Sequence, residues 1–298
     1  MEIRSVQGYL SIIENLQEKY TYSTSIHSLM PAQLHRPKFI YRGHGNENYQ
    51  LLPGIFRWHE KGNGTSVSEY SQMEHNILQD FIGEACRYIK DVSTEDIHAW
   101  LEIAQHFSVP TRLLDFTENP LVALYFACVD INETNAAIWI VNEAEYNRVM
   151  FDIHCLPDAS YSEEIISKII FDEVTHQDYG VHDAQQFIQF PWIYKPCYRE
   201  ERMNLQSSIF MLWGARREAL TNFISSEYYM TADTEKGKCD QQFGVICKIT
   251  IPASAKGNII KQLDSCGINE KFIYPGLDGV GRYIKKKYSS ALNRESGV

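Results

Sequence analysis

Gln105-His106-Phe107-Ser108-Val109-Pro110-Thr111-Arg112-Leu113-Leu114-Asp115-Phe116-Thr117-Glu118-Asn119-Pro120-Leu121-Val122-Ala123-Leu124-Tyr125-Phe126-Ala127 divides into two halves of opposite character. In the second half, Asn119 is a good helix N-cap, Pro120 suits the first helical position, and Leu121 to Cys128 is apolar on every side. A helix with no polar face belongs inside a domain. In the first half, Gln105, His106, Thr111, Arg112, Asp115 and Thr117 crowd polar groups just ahead of that buried helix. Polar groups so close to a core cost free energy unless they pair with one another or hold a ligand.

Outward from this segment the chain alternates helix and strand signals. Ser5 to Lys19 carries Val6, Tyr9, Leu10, Ile13 and Leu16 at helical spacing. Phe39-Ile40-Tyr41 reads as a short strand entering the glycine-punctuated turn Arg42-Gly43-His44-Gly45, and Lys61 to Ser66 reads as a surface loop. Ser68 to Ile89 predicts an amphipathic helix on Tyr70, Met73, Ile77, Phe81, Ala85 and Tyr88, and Glu95 to His106 a second helix. Ala136 to Val141, Ser207 to Trp213 and Gly244 to Ile251 are strand candidates. Lys256 to Cys266 and the basic run Val280 to Tyr288 read as helices. Between Asn142 and Glu200 the pattern weakens, which predicts an insertion with a short helix near Tyr161 to Phe171. No Pro- or Ser-rich linker divides the chain, so the expectation is an N-terminal helical lead (1–35) and one α+β domain (36–298).

Composition narrows the function classes. At 44% hydrophobic and 22% charged residues, the 298-residue chain has a globular makeup. A formal charge of −10 argues against a broad electrostatic grip on nucleic acid. No apolar run is long enough to span a bilayer, and Met1 to Gln7 lacks the order of a secretory signal, so a cytoplasmic protein is expected. Seven cysteines without a CxxC pair, and ten histidines without HExxH spacing, predict neither a disulfide framework nor a metal site. Walker and Rossmann glycine fingerprints are absent from the sequence.

Three pieces together resemble the FRG domain family: Tyr41-Arg42-Gly43-His44 with Leu51-Leu52-Pro53 and Arg57, the segment from Gln105 to Ala127, and Tyr274-Pro275-Gly276-Leu277-Asp278-Gly279. The trio Arg202, Gln206 and Phe210 is similar to a shorter family pattern. More distantly, a strand ending in aromatic-Arg-Gly and a Ser/Thr motif before a buried Ala-x-x-Phe helix resemble the NAD-binding core of ADP-ribosyltransferases. That likeness implies a mixed sheet flanked by helices, with NAD as substrate. It also implies transfer of ADP-ribose to a protein or nucleic-acid acceptor, or hydrolysis of NAD, as in a toxin or a phage-defence effector.

Under the resemblance, Arg42 would grip the cofactor, Thr117 would supply the hydroxyl with Asp115 two places before it, and Tyr125 would lie behind them. Tyr41, Gly43, His106, Thr111 and Arg112 complete the expected NAD cleft. A guanidinium beside a glycine suits a pyrophosphate, because the fork binds bidentately and the bare backbone lets the ligand close in. A carboxylate is needed where oxocarbenium character develops. The transferase Gln/Glu-x-Glu motif is missing, which leaves Glu201, Asp278 and the amide Gln206 as candidates at unconvincing spacings.

Each residue carries a plainer alternative. Arg42 either holds ligand, in which case its loss spares the fold, or braces its own turn. Arg112 and Asp115 either face ligand or pair with each other. His106 is a general base or a loop donor. Thr117 contacts a ribose or caps the helix beside it. The whole cluster could serve a non-catalytic binding module, or be only a hydrogen-bonded core network.

Overall fold

The computed structural model describes residues 1–24, 33–57, 67–130, 133–151, 189–196, 201–230 and 244–292. The expected loop at 61–66 and helix at 161–171 lie outside the described residues. Helix α1 (Val6–Tyr20) leads into a two-stranded antiparallel ribbon, β1 (Tyr22–Thr24) with β2 (Gln33–His35). Strand β3 (Phe39–His44) is followed by α2 (Gly54–Arg57), α3 (Val67–Ala85) and α4 (Ile97–His106). Next come β4 (Leu113–Thr117), α5 (Pro120–Cys128), β5 (Ala136–Asn142) and α6 (Glu143–Phe151). Then follow β6 (Trp192–Tyr194), α7 (Glu201–Leu205), β7 (Ser208–Leu212) and β8 (Ile246–Ile251). Helices α8 (Ala253–Ser265), α9 (Glu270–Ile273) and α10 (Leu277–Leu292) close the described chain.

The α+β class expected from the sequence is present, with one difference. The six-stranded sheet, ordered β6-β7-β4-β3-β5-β8, pairs antiparallel at every junction instead of being mixed. Period-two alternation splits its side chains between two cores. Tyr41, Ile138, Ile140 and Ile249 pack with α1, α5 and α8, whereas Ile40, Trp139, Val141 and Met211 pack with α3 and α4. Strand β5 is buried along its whole length, which is why it reads as an unbroken apolar run.

The pairing is uneven. Strand β3 matches β5 from Phe39↔Asn142 to His44↔Ala137, and β4 matches β7 from Leu113↔Leu212 to Thr117↔Ser208. Between β3 and β4 the pairing register holds a single pair, Tyr41↔Thr117. The sheet is thus two half-sheets joined at one point.

Helix α5 lies across that junction. Asn119 Oδ1 accepts from the N–H groups of Leu121 and Val122, at 3.0 and 3.4 Å, and Pro120 occupies the first turn. The helix packs so tightly on β3 that a Cβ added to Gly43 would lie 2.0 Å from the Ala123 carbonyl oxygen and 2.6 Å from the Ala127 nitrogen. Gly43 is therefore bare to admit a helix, not a ligand, and Arg42-Gly43-His44 is strand instead of turn.

Two other expectations need correction. Leu113 to Thr117, read only as part of a polar cluster, is a strand inside the sheet. At the described ends of the 142–200 segment, Tyr146 and Phe151 of α6 and Trp192 of β6 are buried in the core. Gln206, expected in a strand, sits in the turn between α7 and β7.

Gly43→Ala is expected to destabilise the fold by about 3 kcal/mol, the upper range of ordinary overpacking, because the obstructing atoms are helix backbone. Urea denaturation would check this, and a loss under about 0.5 kcal/mol, the scatter of neutral surface changes, would show that α5 can shift.

Candidate functional site

A cleft of about 830 Å³ opens beside the β3–β4 junction. It gathers Tyr41, Arg42, Gly43, His106, Thr111, Asp115, Thr117, Tyr125 and Gln206 from the expected set. Arg112, Glu201 and Asp278 do not line it. Its walls also carry Arg57, Arg202, Arg282, Glu270 and Tyr274.

Arg112 is the clearest exclusion. It is 4% exposed, and its Nε donates to both Glu74 oxygens at 2.8 and 2.9 Å. Its Nη2 pairs with the same carboxylate, and Nη1 donates to the carbonyls of Trp213 and Gly214 at 3.1 and 3.3 Å. All its nitrogens are committed, so it serves as a buried tie between α3 and the end of β7. Its partner Glu74, rather than Asp115, went unnoticed in the sequence. The signal was there, since among the described side chains of α3 the buried ones are Glu74, Leu78 and Ile82, an i, i+4, i+8 line with an acid on its apolar side.

Arg42 works across the seam. Where β3 and β4 part, its Nη1 donates to the Asp115 carbonyl at 2.5 Å and stands 3.7 Å from the Asp115 carboxylate. Its Nε donates to His44 Nε2 at 3.0 Å. The guanidinium replaces strand-to-strand bonding, so Arg42 is a brace even though it faces the cleft. Burial pulls its pKa down to about 10, with Asp115 opposing and Arg57 adding to the fall, and it stays charged near neutrality.

The other polar residues of the quoted segment mainly satisfy one another. The Thr111 hydroxyl donates to Gln105 Oε1 at 2.5 Å and accepts from the Leu113 N–H at 3.1 Å. Gln105 Nε2 in turn donates to Asp115 Oδ2 at 2.6 Å. Thr117 accepts from the Asn119 N–H at 2.9 Å and donates to the Gln206 carbonyl at 2.5 Å, so its hydroxyl caps and ties the chain. Asp115 remains half exposed to the cleft (53%). His106 meets the Phe107 ring edge-on, with centroids 5.1 Å apart. The Tyr125 phenol is held protonated by burial and by Glu270 beside it. Burial opposes the charge of Glu270, yet Lys286 at 2.6 Å holds its carboxyl below the usual range.

The third sequence motif builds the far wall. Gly276 takes a left-handed φ of 95°, and a Cβ on Gly279 would lie 1.7 Å from the Tyr274 carbonyl oxygen. That approach folds α10 back against Tyr274, while Gln206 Nε2 pins the preceding Ile273 carbonyl at 2.8 Å. Asp278 is left exposed outside the cleft, as is Glu201 on α7.

Among the described residues no cluster of three or more His, Cys, Asp or Glu could hold a metal ion, and no helix is long and apolar enough to cross a membrane. A family model described as the FRG domain matches residues 37–136, which spans β3 to the first residue of β5. The match takes in the Tyr41 to His44 and Gln105 to Ala127 motifs and stops short of Arg202, Gln206 and the Tyr274 to Gly279 wall. No curated protein and no solved structure matches the chain.

His44 gives the site a pH signature. Burial and the neighbouring Arg42 push its pKa down to about 3, against about 6.5 for a free histidine. Between those values the unfolded chain binds the proton and the folded one does not, so stability is full above pH 6.5 and falls on acidification. From pH 6.5 to 5 the loss attributable to His44 is about 2 kcal/mol. Denaturation midpoints across that range should fall more steeply for the native chain than for His44→Gln; parallel curves would contradict the assignment.

Proposed function

We propose that the cleft binds a dinucleotide, with NAD as the ligand. The observation that supports it best is the meeting of Arg42, Arg57, Arg202 and Arg282 with the rings of Tyr41, Phe126 and Tyr274 around one concavity. Its volume of about 830 Å³ falls inside the common range for ligand pockets, about 300–1,000 Å³. Guanidiniums suit a pyrophosphate and aromatic faces suit a base or nicotinamide ring.

The chemistry that follows is ADP-ribose transfer or NAD hydrolysis. The bond from C1′ to the nicotinamide nitrogen breaks, and its electron pair leaves with neutral nicotinamide. A carboxylate stabilises the oxocarbenium character left on C1′, and the acceptor or a water adds there and releases a proton. Asp115 is the residue we assign to that role, because it is the sequence-expected carboxylate that lines the cleft. An effector of the toxin or phage-defence kind, acting in the cytoplasm on a protein or nucleic acid, is the setting the family likeness suggests.

A second reading, a binding module without turnover, is favoured by one specific feature. Asp115 and Glu270 are both engaged by protein donors, Gln105 and Lys286, and Glu201 and Asp278 lie outside the cleft.

Incubating the purified chain with NAD and following free nicotinamide by mass spectrometry separates the two. Release that falls at least a hundredfold in Asp115→Asn is the result expected of the transferase or hydrolase; about 2.7 kcal/mol of lost transition-state stabilisation corresponds to that factor. Calorimetric binding of NAD without release would establish the module. Absence of both contradicts the dinucleotide reading.

A further inference from the structure

The cleft arginines differ in what is left for a ligand. Arg112 is sealed outside the cleft, and Arg42 has spent its Nε and one Nη on His44 and Asp115. Arg57 donates its Nε to the Leu52 carbonyl at 2.9 Å. Arg202 and Arg282 are different. Each guanidinium carbon lies 4.7 Å from the centroid of the Tyr274 ring, and neither guanidinium hydrogen-bonds or ion-pairs with any described residue.

Two cations over one ring are within twice that distance of each other, on the same wall of a concave site. The tyrosine ring offsets part of their repulsion. The one carboxylate on that wall among the described residues, Glu270, is held by Lys286. Two neighbouring forks with unspent donors form a receptor for an anion with several oxygens, because a phosphate accepts bidentately from each.

The fold goes to some length to make this pair. Arg202 comes from α7 and Arg282 from α10, distant in sequence and meeting at the ring of Tyr274. The close approach of Gly279 to the Tyr274 carbonyl turns α10 so that Arg282, three residues further, reaches the ring. The Tyr274 to Gly279 motif thereby has a purpose that Asp278, exposed and outside the cleft, does not supply.

We propose that Arg202 and Arg282 are the pyrophosphate subsite of the cleft, a role the sequence had led us to expect of Arg42. The assignment rests on the dinucleotide reading for its natural ligand, while the anion chemistry stands on the pair alone. Arg42 and Asp115 are then left at the seam of the sheet, for the part of the ligand that carries no phosphate.

Calorimetric titration of the full chain with inorganic pyrophosphate, ADP-ribose, NAD and adenosine tests this, using Arg202→Gln, Arg282→Gln and the double variant. Each single change should weaken pyrophosphate and ADP-ribose at least tenfold and leave adenosine unchanged. Arg282→Lys should fall between, because it keeps the charge and loses the fork. Neither guanidinium hydrogen-bonds or ion-pairs with a described residue, so unfolding temperatures should stay near that of the native chain, and a variant that unfolds is replaced by its lysine counterpart. If the double variant binds pyrophosphate and NAD as well as the native chain does, the subsite is wrong and the dinucleotide reading survives. If pyrophosphate binds through the pair and NAD does not bind at all, the subsite survives and the dinucleotide reading fails. If the native chain binds none of the phosphate-bearing probes, both fail.

Discussion

Backbone meets backbone where α5 crosses β3, and the architecture around the cleft follows from that contact. Gly43 offers no Cβ, so Ala123 and Ala127 settle against the strand itself. A helix seated that deep must be apolar on all sides, and Leu121 to Cys128 is. Only Glu118 and Asn119 separate β4 from α5, so the end of β4 is drawn to the point where the helix begins. Thr117 marks the spot, taking the Asn119 N–H and giving its own proton to the Gln206 carbonyl. Strand β4 can then meet β3 at Tyr41↔Thr117 and little further. Where two strands diverge, their unpaired carbonyls need donors, and Arg42 provides one to Asp115.

The charges divide by how much of their hydrogen-bonding capacity the protein itself consumes. Arg112 with Glu74 is a closed pair, and removing either partner would strand a buried charge, which is costly to a fold. Arg42 is half committed, which explains why a residue facing the cleft also holds the sheet. Arg202 and Arg282 have no polar partner among the described residues and lean on an aromatic ring. A charge that the fold leaves unsatisfied on a concave wall is where ligand chemistry is to be sought.

Much of this was legible in the residues. The caps and uniform apolarity of α5, the buried run of β5, and the helical spacing of α1 each rest on local physics that tertiary context does not override. Strand β4 was harder: Leu113 and Leu114 beside Asp115 show no alternation, because both sides of the strand are covered and Asp115 alone is exposed. Gly43 illustrates the limit of a local reading. Its need for space is plain from the strand, yet whether a helix or a phosphate fills that space is decided by a segment eighty residues away. The same holds for Arg282, whose importance depends on Tyr274 and on Arg202 from another helix. Pairings of this kind leave no periodic trace.

The central claim is that the seam of the sheet and the wall made by α7, α9 and α10 form one ligand site. Hydrogen exchange of the native chain, measured with and without ADP-ribose, tests it directly. The account predicts added protection in Gln105 to Thr117, in Arg202 to Phe210 and in Glu270 to Arg282 together, with β6 and β8 unchanged. Protection absent from all three segments, or confined to surfaces away from them, would contradict it.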